Sequence, residues 1–354
     1  ALRLQKKPFQ IAIYSPLCGD LADELRGQGI VVVDNLDDLP FTPDLIHGHH
    51  HVETMTALLR YPDTPGIFVC HDGSAWHDKA PNFPRILRYV GVDLRCKNRL
   101  IKDLGTEKSV SVIHNSVDLD RFTKRSPLRE KPKRAVLFSH YASSDTHLPC
   151  VKEACDRSGI SLEVIGRASG NPVSAPESVL GNFDLVFGKA RCAMEAMAVG
   201  CAVVLIDQKG CGPLVSPGNF ERLRPLNFGR LACDQKLSPE AILTQLEQYS
   251  PENAQEVCRL AREKLSLDFM AKSFADLYTE VLAEWESGKA DREPENLFVS
   301  RYLSGHFDYP WITQAKQAAA EIEHWKASAE AAHRSWADLS RKFGTLKKLR
   351  TLTR

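Results

Sequence analysis

Lys189, Arg191 and Glu195 are the residues of this 354-residue chain whose types and spacing most plainly invite chemistry. A carboxylate near the start of a helix that follows a strand can accept hydrogen bonds from two vicinal hydroxyls, such as those of a ribose. Lys189 and Arg191 stand just upstream, where their charges could neutralise a diphosphate. The small residues of Ala196-Met197-Ala198-Val199-Gly200 let that helix lie close on the next strand, and Gly200 ends it. A capping glutamate flanked by basic residues is the plainer reading. Spacing alone leaves both open.

Histidines supply a second group. His71 and Asp72 follow the apolar run Gly66-Ile67-Phe68-Val69-Cys70 and are expected at a strand's C-terminal end, facing a cleft. The alternative is a core histidine beside a helix-capping aspartate. His47, His49, His50 and His51 crowd the end of an earlier run. On an extended segment His47, His49 and His51 point to one side, so three imidazoles could converge on a metal. No carboxylate motif such as HExxH accompanies them, and no metal is expected; His47, His49 and His50 are read as lining a cleft, with imidazoles on hydroxyls. Gly210-Cys211-Gly212-Pro213-Leu214-Val215 reads as a turn, either plain or one whose backbone N–H groups meet an anion. Phosphate loops and GxGxxG fingerprints are absent.

These residues need a scaffold, and the pattern supplies one. Phe9–Tyr14, Ile30–Val33, Leu45-Ile46, Gly66–Cys70 and Val110–Ile113 are strand-like and alternate with helical stretches. Continuous apolar strands between helices imply a parallel sheet covered on both faces. After a polar linker over 123–134, carrying Pro127 and Pro132, the alternation restarts with Ala135–Phe138, Leu162–Ile165, Asp184–Phe187 and Ala202–Ile206. Ser238-Pro239 and Ser250-Pro251 each read as an N-cap followed by proline at the first helical position. Ser250 is expected to open a long helical region ending near Trp285. The fold class is therefore α/β, with two doubly wound halves, 1–122 and 135–285, facing across a cleft where strand C-termini converge. A second linker spans 286–310. From Trp311 to Leu346 apolar residues recur in steps of four and three, the spacing of a coiled coil or of one long amphipathic helix. The end, 341–354, holds six basic residues and no acidic ones, which suits an anionic membrane surface or a solvated tail.

Composition narrows the field. With 46 Lys+Arg against 45 Asp+Glu and 43% hydrophobic residues, the chain is too balanced for a disordered or a wholesale nucleic-acid-binding protein. No run reaches the ~18 apolar residues of a membrane span. The ten cysteines include no CxxC pair, so reduced thiols in a cytoplasmic protein are expected rather than disulfides.

Glu195-Ala196-Met197-Ala198-Val199-Gly200-Cys201-Ala202-Val203-Val204 resembles the sugar-nucleotide signature of the family 4 retaining glycosyltransferases, which adopt the GT-B fold. Pro43-Asp44-Leu45-Ile46-His47-Gly48-His49, Val69-Cys70-His71-Asp72 and Val112–Phe122, with Asn115, are similar to three further motifs in the family's order, and Arg262–Tyr278 resembles its closing helices. The resemblance covers about three-quarters of the chain. It implies a metal-independent transferase without cofactor, taking a nucleotide-diphosphate sugar as donor and a saccharide or lipid-linked acceptor, in cell-envelope polysaccharide or glycoconjugate synthesis. Glu195 would hold the ribose, with Lys189, Arg191, Gly166, Arg167, Ser139, His140, Gly212, Pro213 and Leu214 around the donor. His71 and Asp72 would position the reactants, and His47, His49, His50 and Asn115 would line the acceptor side.

Two departures stand out. The family's second glutamate, eight positions before Glu195, is Phe187 here, and Ser139-His140 replaces its Gly-Arg pair. A non-transferring relative, either a sugar-nucleotide epimerase or hydrolase or a scaffold acting through its tail, is the competing expectation. Self-association through 311–346 and peripheral contact with the inner membrane face through 341–354 complete the expected partners; nucleic acid is not among them.

Overall fold

Apolar runs bounded by glycine and proline become strands in the computed structural model, which describes residues 1–107, 109–288 and 295–306, with 319, 321–323, 325, 326 and 330. Apart from those isolated positions, the heptad-patterned span 311–346 and the basic end 341–354 lie outside the described residues.

The first half begins with α1 (Leu2–Gln5), β1 (Ala12–Tyr14), α2 (Asp20–Gly27) and β2 (Val31–Val33), where β1 and β2 pair in parallel. It continues through β3 (Ile46–Gly48), α3 (His51–Arg60), β4 (Gly66–Cys70), β5 (Ile86–Gly91), α4 (Leu94–Leu104) and β6 (Val110–Val112). Strands β3-β4-β5-β6 form a parallel sheet in that order. All of β4 is buried, which requires cover on both faces and explains its unbroken apolar run. Strand β5 was not among the expected strands, because Arg88 interrupts its apolar pattern. Glu280 and Glu284 hold that guanidinium at 2.7 and 2.6 Å.

The second half comprises β7 (Arg134–Phe138), α5 (Leu148–Arg157), β8 (Ser161–Ile165), α6 (Glu177–Leu180), β9 (Leu185–Gly188), α7 (Ala190–Val199), β10 (Ala202–Asp207) and β11 (Gly210–Leu214). Helices α8 (Phe220–Leu223), α9 (Pro239–Leu246), α10 (Pro251–Lys264) and α11 (Leu267–Glu286) follow. The sheet order is β11-β10-β9-β7-β8, parallel except for β11. Its order reverses between β7 and β9, so the crevice at their carboxyl ends is a topological switch point. Ala193, Ala196 and Ala198 bring α7 close to its neighbours, and Gly200 ends it at φ 103°, a left-handed conformation that suits glycine. Ser238 and Ser250 cap α9 and α10 as expected, each accepting an N–H at 3.1 Å.

One local expectation fails for an identifiable reason. Gly210–Val215 is not an anion-facing turn: β11 runs antiparallel to β10. A Cβ on Gly210 would lie 2.3 Å from the Cys233 carbonyl, and one on Gly212 would lie 2.5 Å from that of Ala232. The glycines thus admit a neighbouring backbone. The N–H groups of Cys211, Leu214 and Val215 go to Gln235 O, Gln245 Oε1 and Val203 O. The long helical region expected from Ser250 to near Trp285 is present as α10 and α11, divided at Leu265-Ser266. Val117 exchanges backbone hydrogen bonds with Leu265 and Leu267 there, and Ser266 caps α11.

After that break α11 returns to the first half, placing Tyr278 against Phe9 and His47. Residues Ala1–Glu293 form one compact unit and Pro294–Arg354 a second. Helix α12 (Glu295–His306) lies in the second, inside the span 286–310 that reads as a linker.

Candidate active site

The turn from β9 into α7 places the first group. Lys189 occupies the N-cap position, and Ala190 follows with φ 50°, left-handed strain in a residue that carries a Cβ. Its N–H is fixed by the Phe228 carbonyl at 2.8 Å, within a loop where Asn227 and Phe228 are also left-handed. One turn later Glu195 emerges, its side chain 12% exposed and 3.8 Å from Arg191 Nη2. No closer donor meets its carboxylate among the described residues. Burial raises its pKa, and the charges of Arg191 and Arg121 only partly oppose this. A largely desolvated carboxylate lacking hydrogen-bond donors at a switch point is prepared to accept them from a ligand.

Lys189 is less available than the sequence implies. Its ammonium pairs with Asp207, a 6%-exposed carboxylate at the end of β10. Burial pushes the Asp207 pKa up, but Lys189, the Lys209 N–H and Arg230 together outweigh it and the net shift is downward. Buried His147, before α5, feels both charges, and neither of its ring nitrogens has a partner. Sequence reasoning missed both residues. The one available signal was a carboxylate closing the apolar strand Ala202–Ile206.

In the first half, β3 and β4 lead into histidines. His47 Nδ1 lies 2.5 Å from Tyr278 Oη, and its ring stacks on His49 at 4.6 Å. His49 Nδ1 meets His71 Nε2 at 2.8 Å. Burial, reinforced by the neighbouring imidazoles, lowers all three pKa values, His49 to about 4. The row is therefore neutral near pH 7, and its imidazoles can donate or accept hydrogen bonds. His51 does not join it as alternation implied. Strand β3 stops at Gly48 and His51 opens α3, packed on Trp76. Asp72 is committed to its own turn, accepting from Ser74 N, Ser74 Oγ and Ala75 N at 2.6–2.9 Å.

Arg191 lies beside Glu195, and its charge adds slightly to the lowering of the His71 pKa, which burial dominates. Ser139 follows β7 with its N–H on Ile165 O, and His140 and Arg167 are exposed beside it. Gly166 is required by close approach, because a Cβ there would fall 1.9 Å from Ser139 O. Asn115 lines a separate cavity of about 70 Å³ with His114, Arg224, Lys264 and Met270. Pro213 and Leu214 belong to β11, and Leu214 is buried. Phe187 is fully buried in the sheet's core and reaches no cleft.

No protein-family model matches the chain, and no curated protein matches it in sequence. Solved structures do. Anabaena HepE in complex with UDP superposes with a TM-score of 0.57 at 13% identity, over 79% of this chain and 95% of that one. The HepE complex with UDP-glucose gives 0.54 at 15%, over 79% and 94%. With a parallel β3–β6 sheet in one half, a β7–β11 sheet parallel but for β11 in the other, and a returning α11, the chain has the GT-B fold, two Rossmann-like halves facing across a cleft.

Proposed function

We propose that this chain is a glycosyltransferase that moves a sugar from a nucleotide-diphosphate donor to a saccharide or lipid-linked acceptor. The observation that carries this reading is Glu195, whose 12%-exposed carboxylate stands 3.8 Å from Arg191 on the helix after β9, in the half whose strand order reverses between β7 and β9. Residues 135–285 take the nucleotide and 1–122 the acceptor. Glu195 accepts the ribose hydroxyls; Arg191, Arg167 and Lys189 meet the diphosphate, Lys189 by exchanging Asp207 for phosphate. Ser139, His140 and Gly166 border that crevice. As the bond from the anomeric carbon to the diphosphate oxygen breaks, the acceptor oxygen bonds to that carbon and its proton passes to the departing phosphate. Preorganised positive charge stabilises the leaving group. Retention of configuration and placement among the family 4 enzymes belong to the same reading. His71 orients the reactants with His49 and His47 behind it, and Asp72 fixes the turn that carries His71. The UDP and UDP-glucose held by the HepE structures give the reading its first probes.

The test is thermal stabilisation by UDP-, GDP-, ADP-, TDP- and CMP-sugars, followed by product analysis with and without a saccharide acceptor. Donor consumption that requires acceptor supports transfer. Consumption without acceptor favours the epimerase or hydrolase reading, to which buried Phe187 in place of a glutamate gives weight. No stabilisation by any nucleotide refutes the nucleotide site. The same reading places self-association in 311–346 and membrane contact at an inner, cytoplasmic face in 341–354; truncation at 286 followed by light scattering and vesicle sedimentation tests both.

A further inference from the structure

His50, His77 and Asp78 form a cluster that the transfer chemistry leaves unused. His50 is the N-cap of α3, and His77 and Asp78 lie on a single 3₁₀ turn, Trp76–Asp78, in the loop after β4. Each offers one ligand atom, and the three atoms all lie within 4.8 Å of one another. The two imidazole rings are 4.6 Å apart. Asp78 is only 1% exposed, and its two oxygens differ. Oδ2 accepts the backbone N–H groups of His71 and Asp72 at 3.1 and 2.5 Å. Oδ1 is buried and has no hydrogen-bond partner. A buried carboxylate oxygen without a donor is costly, and a cation held by the adjacent imidazoles satisfies it.

We propose that His50, His77 and Asp78 bind one divalent ion of the zinc class. Two imidazoles and one carboxylate suit zinc or cobalt, whereas calcium and magnesium favour all-oxygen sets. Tetrahedral ligand atoms about 2.0–2.2 Å from zinc lie roughly 3.3–3.6 Å from each other. The cluster therefore closes by about 1 Å at its widest, a movement open to two exposed imidazoles. Their exposure leaves the fourth position to water. Glu53 Oε2, 4.0 Å from His50 Nδ1, adds negative charge beside the site. The ion joins the start of α3 to the loop bearing His71 and Asp72, and it stands independent of the donor site. The expectation of no metal weighed His47, His49 and His51; His77 and Asp78 join His50 only through the fold.

The experiment titrates cobalt into the tag-free, metal-stripped full chain and follows the visible d–d absorption of low-symmetry cobalt. One equivalent is expected to bind and to be displaced by zinc. His50→Ala and His77→Ala, both at exposed positions, should each weaken cobalt binding by at least the ~10–100-fold that outer-shell changes cost. Unchanged circular dichroism melts exclude misfolding as the cause. His49→Ala should leave the spectrum intact. Absence of stoichiometric binding, survival of the spectrum in both His50→Ala and His77→Ala, or its loss only in His49→Ala overturns the proposal.

Discussion

Replacing Glu195 by glutamine should move stability and nucleotide affinity in opposite directions. The side chain is 12% exposed, and the cation paired with it among the described residues, Arg191, stands 3.8 Å away on a side chain that is 74% exposed. Because burial raises its pKa above the ordinary 4.5, the folded state binds more protons than the unfolded state just above that value. Stability is therefore lost as pH rises through the window between the unfolded and folded pKa. Above the window glutamine removes the penalty of a partly desolvated charge, a gain of about 1 kcal/mol. In a unit of this size that is an increase of about 2 °C in Tm. Below pH 4.5 the difference should vanish, which serves as an internal control. Affinity should fall because charge-assisted hydrogen bonds to two hydroxyls are replaced by neutral ones, a loss of about 1–3 kcal/mol or roughly 5–150-fold in Kd. Melts across pH and calorimetric titration with UDP, or with whichever nucleotide stabilises the wild type, read both effects. A variant that melts lower at pH 7, or that binds nucleotide unchanged, would falsify the assignment of Glu195.

Three further outcomes follow from individual residues. Ala190→Gly should raise stability by about 1 kcal/mol, since the left-handed φ of 50° burdens any residue with a Cβ; a lower Tm refutes this. Phe187→Ala should cost about 3–5 kcal/mol because the ring is wholly buried in the core, and Phe187→Glu should yield little folded protein rather than recover a sugar contact. A well-folded, more active glutamate variant would contradict that placement. His49, held near pKa 4 chiefly by burial and next by His71, binds fewer protons folded than unfolded between about pH 4 and 6.5. Stability should rise with pH across this window and be lost on acidification through it. His49→Asn should flatten that slope in denaturant titrations, and NMR titration of the ring should give the low pKa directly.

Much of the architecture was legible because it rests on local rules. Apolar runs such as Gly66–Cys70 need cover on both faces, the Ser-Pro pairs at 238 and 250 cap helices, and Gly200 takes a conformation that suits few other residues. Strand β5 escaped because Arg88 breaks its pattern, and the partners that neutralise that cation, Glu280 and Glu284, are distant in sequence. Gly210 and Gly212 were misread since one residue type serves anion binding and backbone crowding alike, and the crowding carbonyls lie some twenty residues away in sequence. The candidate site divides the same way. Sequence pattern marked Glu195, Arg191 and the histidines, whose helix and strand-end positions follow from short-range periodicity. Only the tertiary structure paired Lys189 with Asp207, joined His49 to His71, tied Tyr278 to His47 and withdrew Phe187 into the core. Those outcomes depend on which strand ends become neighbours and on how much water each group loses there, and both quantities are set by long-range packing.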